Sequence, residues 1–291
     1  MDPAQGARRA PAVFVSHGSP MLPLEPGSAA PMLTELGAAL RARTLRAVLV
    51  LSPHWMTRGL AVGSAARPQT LHDFGGFDPA LQQLRYPAAG DPELARQVAG
   101  LLGEAGLPVA LDPGRGLDHG VWVPLRLMFP RADLPVVPLS MPWPLDAQGA
   151  WRLGSLLAPL REQGVLLLGS GSLTHNLHEF RAAATVADPA EPYVLEFSAW
   201  MRDAIGRGDA QALLEWKTRA PHARRAHPSD EHLLPLHWVL GAALAHGPVP
   251  GPAPGAAQGT PAIGSEPAAA ARYWCGGVHY GMLSMDAWTL D

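Results

Sequence analysis

Ala12-Val13-Phe14-Val15-Ser16-His17-Gly18-Ser19-Pro20 is a short apolar run that stops at a small-residue turn carrying a histidine. Ala47-Val48-Leu49-Val50-Leu51-Ser52-Pro53-His54-Trp55 repeats the arrangement. Gly164-Val165-Leu166-Leu167-Leu168 does so a third time, followed by Gly169-Ser170-Gly171-Ser172-Leu173-Thr174-His175-Asn176. Continuous apolar runs of this length, bounded by Gly, Ser and Pro, read as strands buried on both faces. Two more runs fit strands: Leu107 to Leu111, and Leu134 to Leu139, whose Pro135 and Pro138 suggest an edge strand or a strand start.

Between the runs, Pro31–Arg43, Pro92–Ala105, Ala147–Arg161 and Glu191–Gly206 carry apolar residues at spacings of three and four, as helices do. Glu231–Ala245 is a further helix, poor in charge and therefore buried. Strands alternating with helices predict an α/β fold: a single domain over residues 1–291 with a mainly parallel or mixed central sheet flanked by helices. The 247–271 segment, rich in Pro, Gly and Ala, reads as a long surface loop ahead of a last strand near Gly281 to Trp288.

Composition narrows the chemistry. The chain has 291 residues and a net charge of −3, which gives no electrostatic reason to bind nucleic acid or an anionic membrane. Its single cysteine, Cys275, excludes an intrachain disulfide framework and any multi-Cys metal site. Lys217 is the only lysine, and no P-loop surrounds it. Arg8 and Arg9 precede too short an apolar run for a signal peptide, and no stretch approaches ~18 apolar residues, so the cytoplasm is the expected compartment and no membrane span is expected.

The 12 histidines are the informative count. A single histidine is usually a surface or packing residue, but His17, His54 and His175 all follow strand ends. In open α/β sheets the loops at the carboxyl ends of the strands converge on one crevice, so residues distant in sequence meet there. Neutral imidazoles from two strand ends suit Zn(II) or Fe(II). In Pro228-Ser229-Asp230-Glu231-His232-Leu233-Leu234, Ser229 or Asp230 is placed to cap the following helix and put His232 in its first turn. His232, set among leucines, is the better third ligand; Glu231 competes, and a two-histidine, one-carboxylate face would favour iron. His227 lies before the helix and reads as solvated. His119 stands at the start of an apolar helix, with Asp118 pointing elsewhere; it is a cap, or it orients a phenolic substrate. His72, in a Gly-rich loop, is placed to line the entrance. His178, His222, His237 and His246 read as structural or surface residues, and His279 has no reading.

Taken together these segments resemble a known family. Ser-His-Gly-Ser-Pro, Leu-Ser-Pro-His-Trp, His72-Asp73-Phe74-Gly75-Gly76-Phe77 with Arg85-Tyr86-Pro87-Ala88, Leu117-Asp118-His119-Gly120, Gly169-Ser170-Gly171 with His175-Asn176-Leu177, and Glu231-His232 with Leu234-Pro235-Leu236 occur in this order. The set resembles the class III extradiol ring-cleavage dioxygenases, in the DOPA 4,5-dioxygenase-like (LigB-like) branch, from about Val13 to Met285. The resemblance implies a mononuclear site with His17, His54 and His232 as metal ligands, and His175 as the acid/base residue, able to become a fourth ligand when zinc is bound. It implies that His119 contacts substrate; His72, placed at the entrance by its Gly-rich loop, is the second residue expected to face substrate. Fe(II) is the metal implied for activity, with Zn(II) able to occupy the same site, and a catechol and O2 are the implied reactants. Two departures bear on the shape of the pocket: Gly75-Gly76 in the loop, and Met282 where the family's C-terminal motif carries serine. A zinc-dependent hydrolase using Glu231 as base, and a non-catalytic metal-binding protein on the same fold, are the competing readings; a chelatase is a distant one.

Overall fold

Residues 9–180, 184–244 and 270–291 are described by the computed structural model. The strands are β1 (Ala12–Ser16), β2 (Ala47–Thr57), β3 (Leu60–Gly63), β4 (Val109–Asp112), β5 (Val136–Pro142), β6 (Val165–Gly171), β7 (Ala271–Trp274), β8 (Val278–His279), β9 (Leu283–Ser284) and β10 (Ala287–Leu290). Eight of them form one sheet in the order β4-β3-β5-β2-β6-β1-β10-β7, while β8 and β9 pair separately. The central four, β5-β2-β6-β1, run parallel. β10 and β7 extend the sheet antiparallel, and β3 joins β5 antiparallel, so the sheet is mixed.

The helices are α1 (Ala29–Arg41), α2 (Pro92–Glu104), α3 (His119–Met128), α4 (Ala147–Leu157), α5 (Pro192–Gly206), the short α6 (Ala210–Leu214), α7 (Trp216–Arg219) and α8 (Ala223–Ala226), and α9 (Leu234–Leu244). Side chains alternate across a strand, and the two core layers follow that alternation. Ala12, Phe14, Leu49, Leu51 and Leu167 pack on the face of α4, α5 and α9, while Val13, Val15, Val48, Val50, Leu166 and Leu168 pack on the face of α1 and α3. This two-sided burial explains why the strands read as unbroken apolar runs. Residues 234–243 of α9 are all buried, as its lack of charge predicts. Among the described residues no helix is long and apolar enough to cross a membrane.

Two expectations are corrected, and a third is left almost wholly untested. The proline-bearing run does start a strand, β5 beginning right after Pro135, but it is an interior strand paired on both sides and not an edge. Val136 N–H donates to Ala89 O, away from β2. Pro138 has the same orientation two residues on, so its missing N–H faces β3, where the ladder holds only Val62 opposite Leu139. The strand expected near Gly281–Trp288 is divided: Tyr280 and Gly281 adopt positive φ (55° and 69°) in the turn between β8 and β9, and the chain then leaves that pair to join the main sheet as β10, between β1 and β7. The 247–271 expectation falls almost wholly outside the described residues; its last residue, Ala271, already begins β7.

Candidate metal centre

β1, β2 and β6 deliver their histidines to the same edge of the sheet. β1 ends at Ser16, and His17 follows it, almost fully buried. In β2 the register with β5 shifts between Leu51 and Met56, and this irregularity lets His54 leave the ladder. The α1 crossover carries the chain from β1 to β2 past β6, which lies between them. Gly171, at the end of β6, lies under the turn that carries His232. A Cβ there would stand 2.2 Å from His232 O, the carbonyl that accepts from Ser172 N–H at 2.8 Å. Gly120 likewise lets the start of α3 close on His54, since a Cβ would lie 2.8 Å from His54 Cδ2.

Five imidazoles converge there. Ring centroids of His17, His54 and His232 lie 5.0–5.5 Å apart. His119 is 3.9 Å from His54, and His175 stacks on His232 at 3.5 Å, nearly parallel. His54 Nε2 and His17 Nε2 are 3.1 Å apart. One ligand atom from each of His17, His54 and His119 falls within 4.8 Å of the others, and His175, Glu231 and His232 form a second such group.

The outer nitrogens are held by fixed partners. His17 Nδ1 lies 3.1 Å from Ser170 Oγ, whose own hydrogen goes to Gly120 O; the serine oxygen therefore accepts from Nδ1–H. His232 Nδ1–H donates to Glu231 Oε1 at 3.1 Å. His119 Nδ1–H donates to Asp73 Oδ2 at 3.0 Å. An imidazole whose Nδ1 carries the proton offers Nε2 as a lone pair, the usual arrangement of a metal-ligating histidine. His232 Nε2 is buried with no hydrogen-bond partner. An orphaned buried nitrogen costs roughly 1–3 kcal/mol unless something completes it, and this donor set fits a non-haem metal ion.

Electrostatics agree with that fit. Burial, then the neighbouring imidazoles, hold His17 and His232 well below the ordinary histidine range. Burial and His119 bring His54 down to about 3. His175, mainly through burial, falls to about 4. These rings are neutral at pH 7 and able to donate electron pairs.

His232 sits in the turn ahead of α9, not in its first helical turn. Asp230 O accepts the N–H groups of Leu233 and Leu234, while the Asp230 carboxylate pairs with Lys217 and Ser229 Oγ donates to Glu231. Neither side chain caps the helix. His227 is buried, not solvated: its Nε2 donates to Leu173 O at 2.8 Å and its ring packs near Phe197 and Trp216. His72 lies outside the cluster, its Nε2 donating to Leu84 O and Phe74 standing between it and His119. Asp118 does point away from His119; it accepts from Ser52 Oγ at 2.7 Å and pairs with Arg115, bracing the middle of β2. His237 is a buried packing residue and His279 is buried against Ser28 and Tyr280. Ser170 and Asp73 escaped the sequence reading as partners of His17 and His119. Asp73 stands next to His72 in a motif already noticed, yet nothing local ties it to a histidine 46 residues away. A cleft of about 310 Å³ opens beside Glu231, lined by Met56, Met141, Trp143 and Leu234.

Residues 11–250 match the family described as the catalytic LigB subunit of aromatic ring-opening dioxygenase. A 4,5-DOPA dioxygenase extradiol of Beta vulgaris is 39% identical over 232 residues, 79% of this chain and 85% of its own length. That of Escherichia coli (strain K12) is 37% identical over 246 residues, covering 83% and 88%. The crystal structure of the uncharacterized protein JW3007 from Escherichia coli K12 superposes with a TM-score of 0.71 at 29% identity, over 97% of this chain and 100% of that one. With the fold, the histidine edge and these relatives in agreement, the chain belongs to the LigB family of aromatic ring-opening dioxygenases, in the 4,5-DOPA-dioxygenase-like branch, and is an extradiol dioxygenase.

Proposed function

We propose that the protein opens a catechol-type ring next to its diol, using O2 and one non-haem metal ion held by His17, His54 and His232. The observation that carries this reading is the aim of the histidines: Nδ1 of His17 and His232 is bonded outward, to Ser170 and Glu231. Nε2 of His17 then faces Nε2 of His54 at 3.1 Å, and Nε2 of His232 is left without a partner. Fe(II) is the metal we assign to activity, and the same neutral donors accept Zn(II). Held by these residues, such an ion would bring a diol and O2 together and supply a path for electron density between them.

The remaining residues handle the substrate. His175, neutral at pH 7, takes a proton from a catechol hydroxyl at a ring nitrogen and returns it later as the ring opens. His119 accepts a hydrogen bond from the other side of the ring through Nε2. His72 and Phe74 stand on the approach to His119. Glu231 Oε1 accepts from both His232 Nδ1–H and Ser229 Oγ, so this carboxylate serves to orient His232. The unpaired Cys275 suits the reducing cytoplasm, where we place the activity.

Anaerobic loading with Fe(II), then a catechol panel followed by O2 uptake and by the absorbance of the opened ring, tests the proposal. DOPA belongs in the panel because relatives carry it in their names. One O2 consumed per ring opened is the expected result. Hydrolysis by the zinc-loaded protein, without O2 uptake by the iron-loaded one, would overturn it.

A further inference from the structure

We propose that Asp73 is a positioning residue for ring opening: it fixes His119 in the tautomer whose Nε2 faces the substrate. Its carboxylate makes two bonds to one residue. Oδ1 accepts from the His119 backbone N–H at 2.9 Å, and Oδ2 accepts from Nδ1–H at 3.0 Å. The first bond caps α3 at its first residue, a duty that the adjacent Asp118 side chain does not perform. A cap needs only one oxygen. The second oxygen is therefore free for a different task, and it is spent on the ring.

That task has a chemical consequence. A neutral imidazole carries one proton, and the partner of one nitrogen decides the state of the other. With Nδ1–H given to Asp73, Nε2 is an acceptor, able to receive a hydrogen bond or a proton from a substrate hydroxyl. Without the carboxylate, the ring is free to carry its proton on Nε2 and to rotate about its side-chain bonds. His119 is packed edge-on against His17 and Phe74 (5.5 and 5.7 Å), so a fixed ring plane also fixes the direction of that lone pair. The loop bearing Asp73 is anchored independently of the carboxylate. Leu71 N–H donates to Leu117 O, Thr70 bridges Leu117, and Trp122 Nε1–H donates to Leu71 O at 2.9 Å. Loss of the carboxylate alone should leave the loop in place.

The inference rests on the proposed contact between His119 and substrate, and the test separates the two. Asp73→Asn keeps the shape and one acceptor oxygen, so it can cap α3 or hold the ring, but not both. In the full-length metal-free protein, long-range ¹⁵N–¹H spectra of the imidazoles should show His119 protonated at Nδ1, and the Asn variant should shift it toward Nε2–H. After iron loading, the variant should keep its metal and its melting temperature, hold KM within about threefold, and lose roughly 10–100-fold in kcat. Asp73→Glu, which restores a carboxylate, should recover part of that rate. An unchanged His119 tautomer in Asp73→Asn, or an unchanged kcat alongside a slow His119→Ala enzyme, would overturn the role of Asp73. A fully active His119→Ala enzyme would instead remove the substrate contact on which it rests, whatever the spectra show.

Discussion

The two ends of the parallel strands solve opposite problems. At the carboxyl end, five imidazoles press together, and at least one buried nitrogen, His232 Nε2, has no partner. At the amino end, before β6, lies Arg161, whose side chain is fully buried and, among the described residues, hydrogen-bonded to backbone oxygens and to no carboxylate. All three guanidinium nitrogens donate to backbone oxygens: Nε to Ala10 O at 2.8 Å, Nη1 to Ala242 O at 2.8 Å and Nη2 to Leu290 O at 3.0 Å. It thereby ties the chain entering β1, the last turn of α9 and the end of β10. Ala242 O lies near the helix C-terminus, where the macrodipole favours a cation. One end leaves a nitrogen open for a ligand; at the other, each guanidinium nitrogen of Arg161 is tied to a backbone oxygen because it only has to hold.

Removing a ligand should break the contrast most visibly. His17→Ala, His54→Ala or His232→Ala should each strip metal and reduce ring opening to background, with little change in melting temperature, since a core of this size folds without a metal. Metal analysis beside a thermal melt checks this, and normal occupancy after loss of His232 would move the third ligand to Glu231. His175→Ala is expected to retain iron and still bind a catechol, while ring opening slows roughly 10²–10⁴-fold. If that variant loses its iron, His175 is itself a ligand.

Arg161→Met tests the opposite end. Three buried carbonyls lose a charged donor, so denaturant unfolding should report a loss of about 3 kcal/mol, with kcat per folded molecule unchanged. A loss of activity beyond the loss of folded protein would show that the two ends are coupled.

Acid sharpens the comparison further. Burial lowers His227 from 6.5 to about 4, so between those values the unfolded chain binds more protons than the folded one. Stability must then fall as pH drops from 6.5 to 4, by up to ~1.4 kcal/mol per pH unit for each such histidine. His227→Gln should flatten the stability–pH slope of the metal-free protein by about that amount in this window; an unchanged slope would mean that His227 is already protonated when folded. The smallest effect belongs to Cys275→Ser. The thiol is exposed and lies in neither cluster, and its loss should leave activity within a few-fold, as a simple O2-uptake assay will show.

The strand ends ahead of His17 and His175 were legible because two-sided burial writes an unbroken apolar run, and small residues mark where it stops; β2 instead runs on through Ser52, Pro53 and His54 to Thr57, past the turn expected there. Buried α9 was legible for a similar reason. The interior place of β5 was not: Pro135 lies just before the strand, and Pro138 signals an edge only if its missing N–H is needed, whereas here it faces the weakly paired β3. His227 read as solvated because the residues that cover it, Phe197 and Trp216, come from α5 and α7.

The sequence by itself determined which residue types end the strands, that the sheet is covered on both faces, and that any metal must rest on histidine and carboxylate. These are properties of local pattern and of composition. Only the tertiary structure decided that Ser170 serves His17, Asp73 serves His119, and Arg161 closes the far end. Those partners lie 153, 46 and 151 residues apart. A hydrogen bond between distant segments leaves no periodicity in either one, so its partners become visible only once the sheet has brought the loops together.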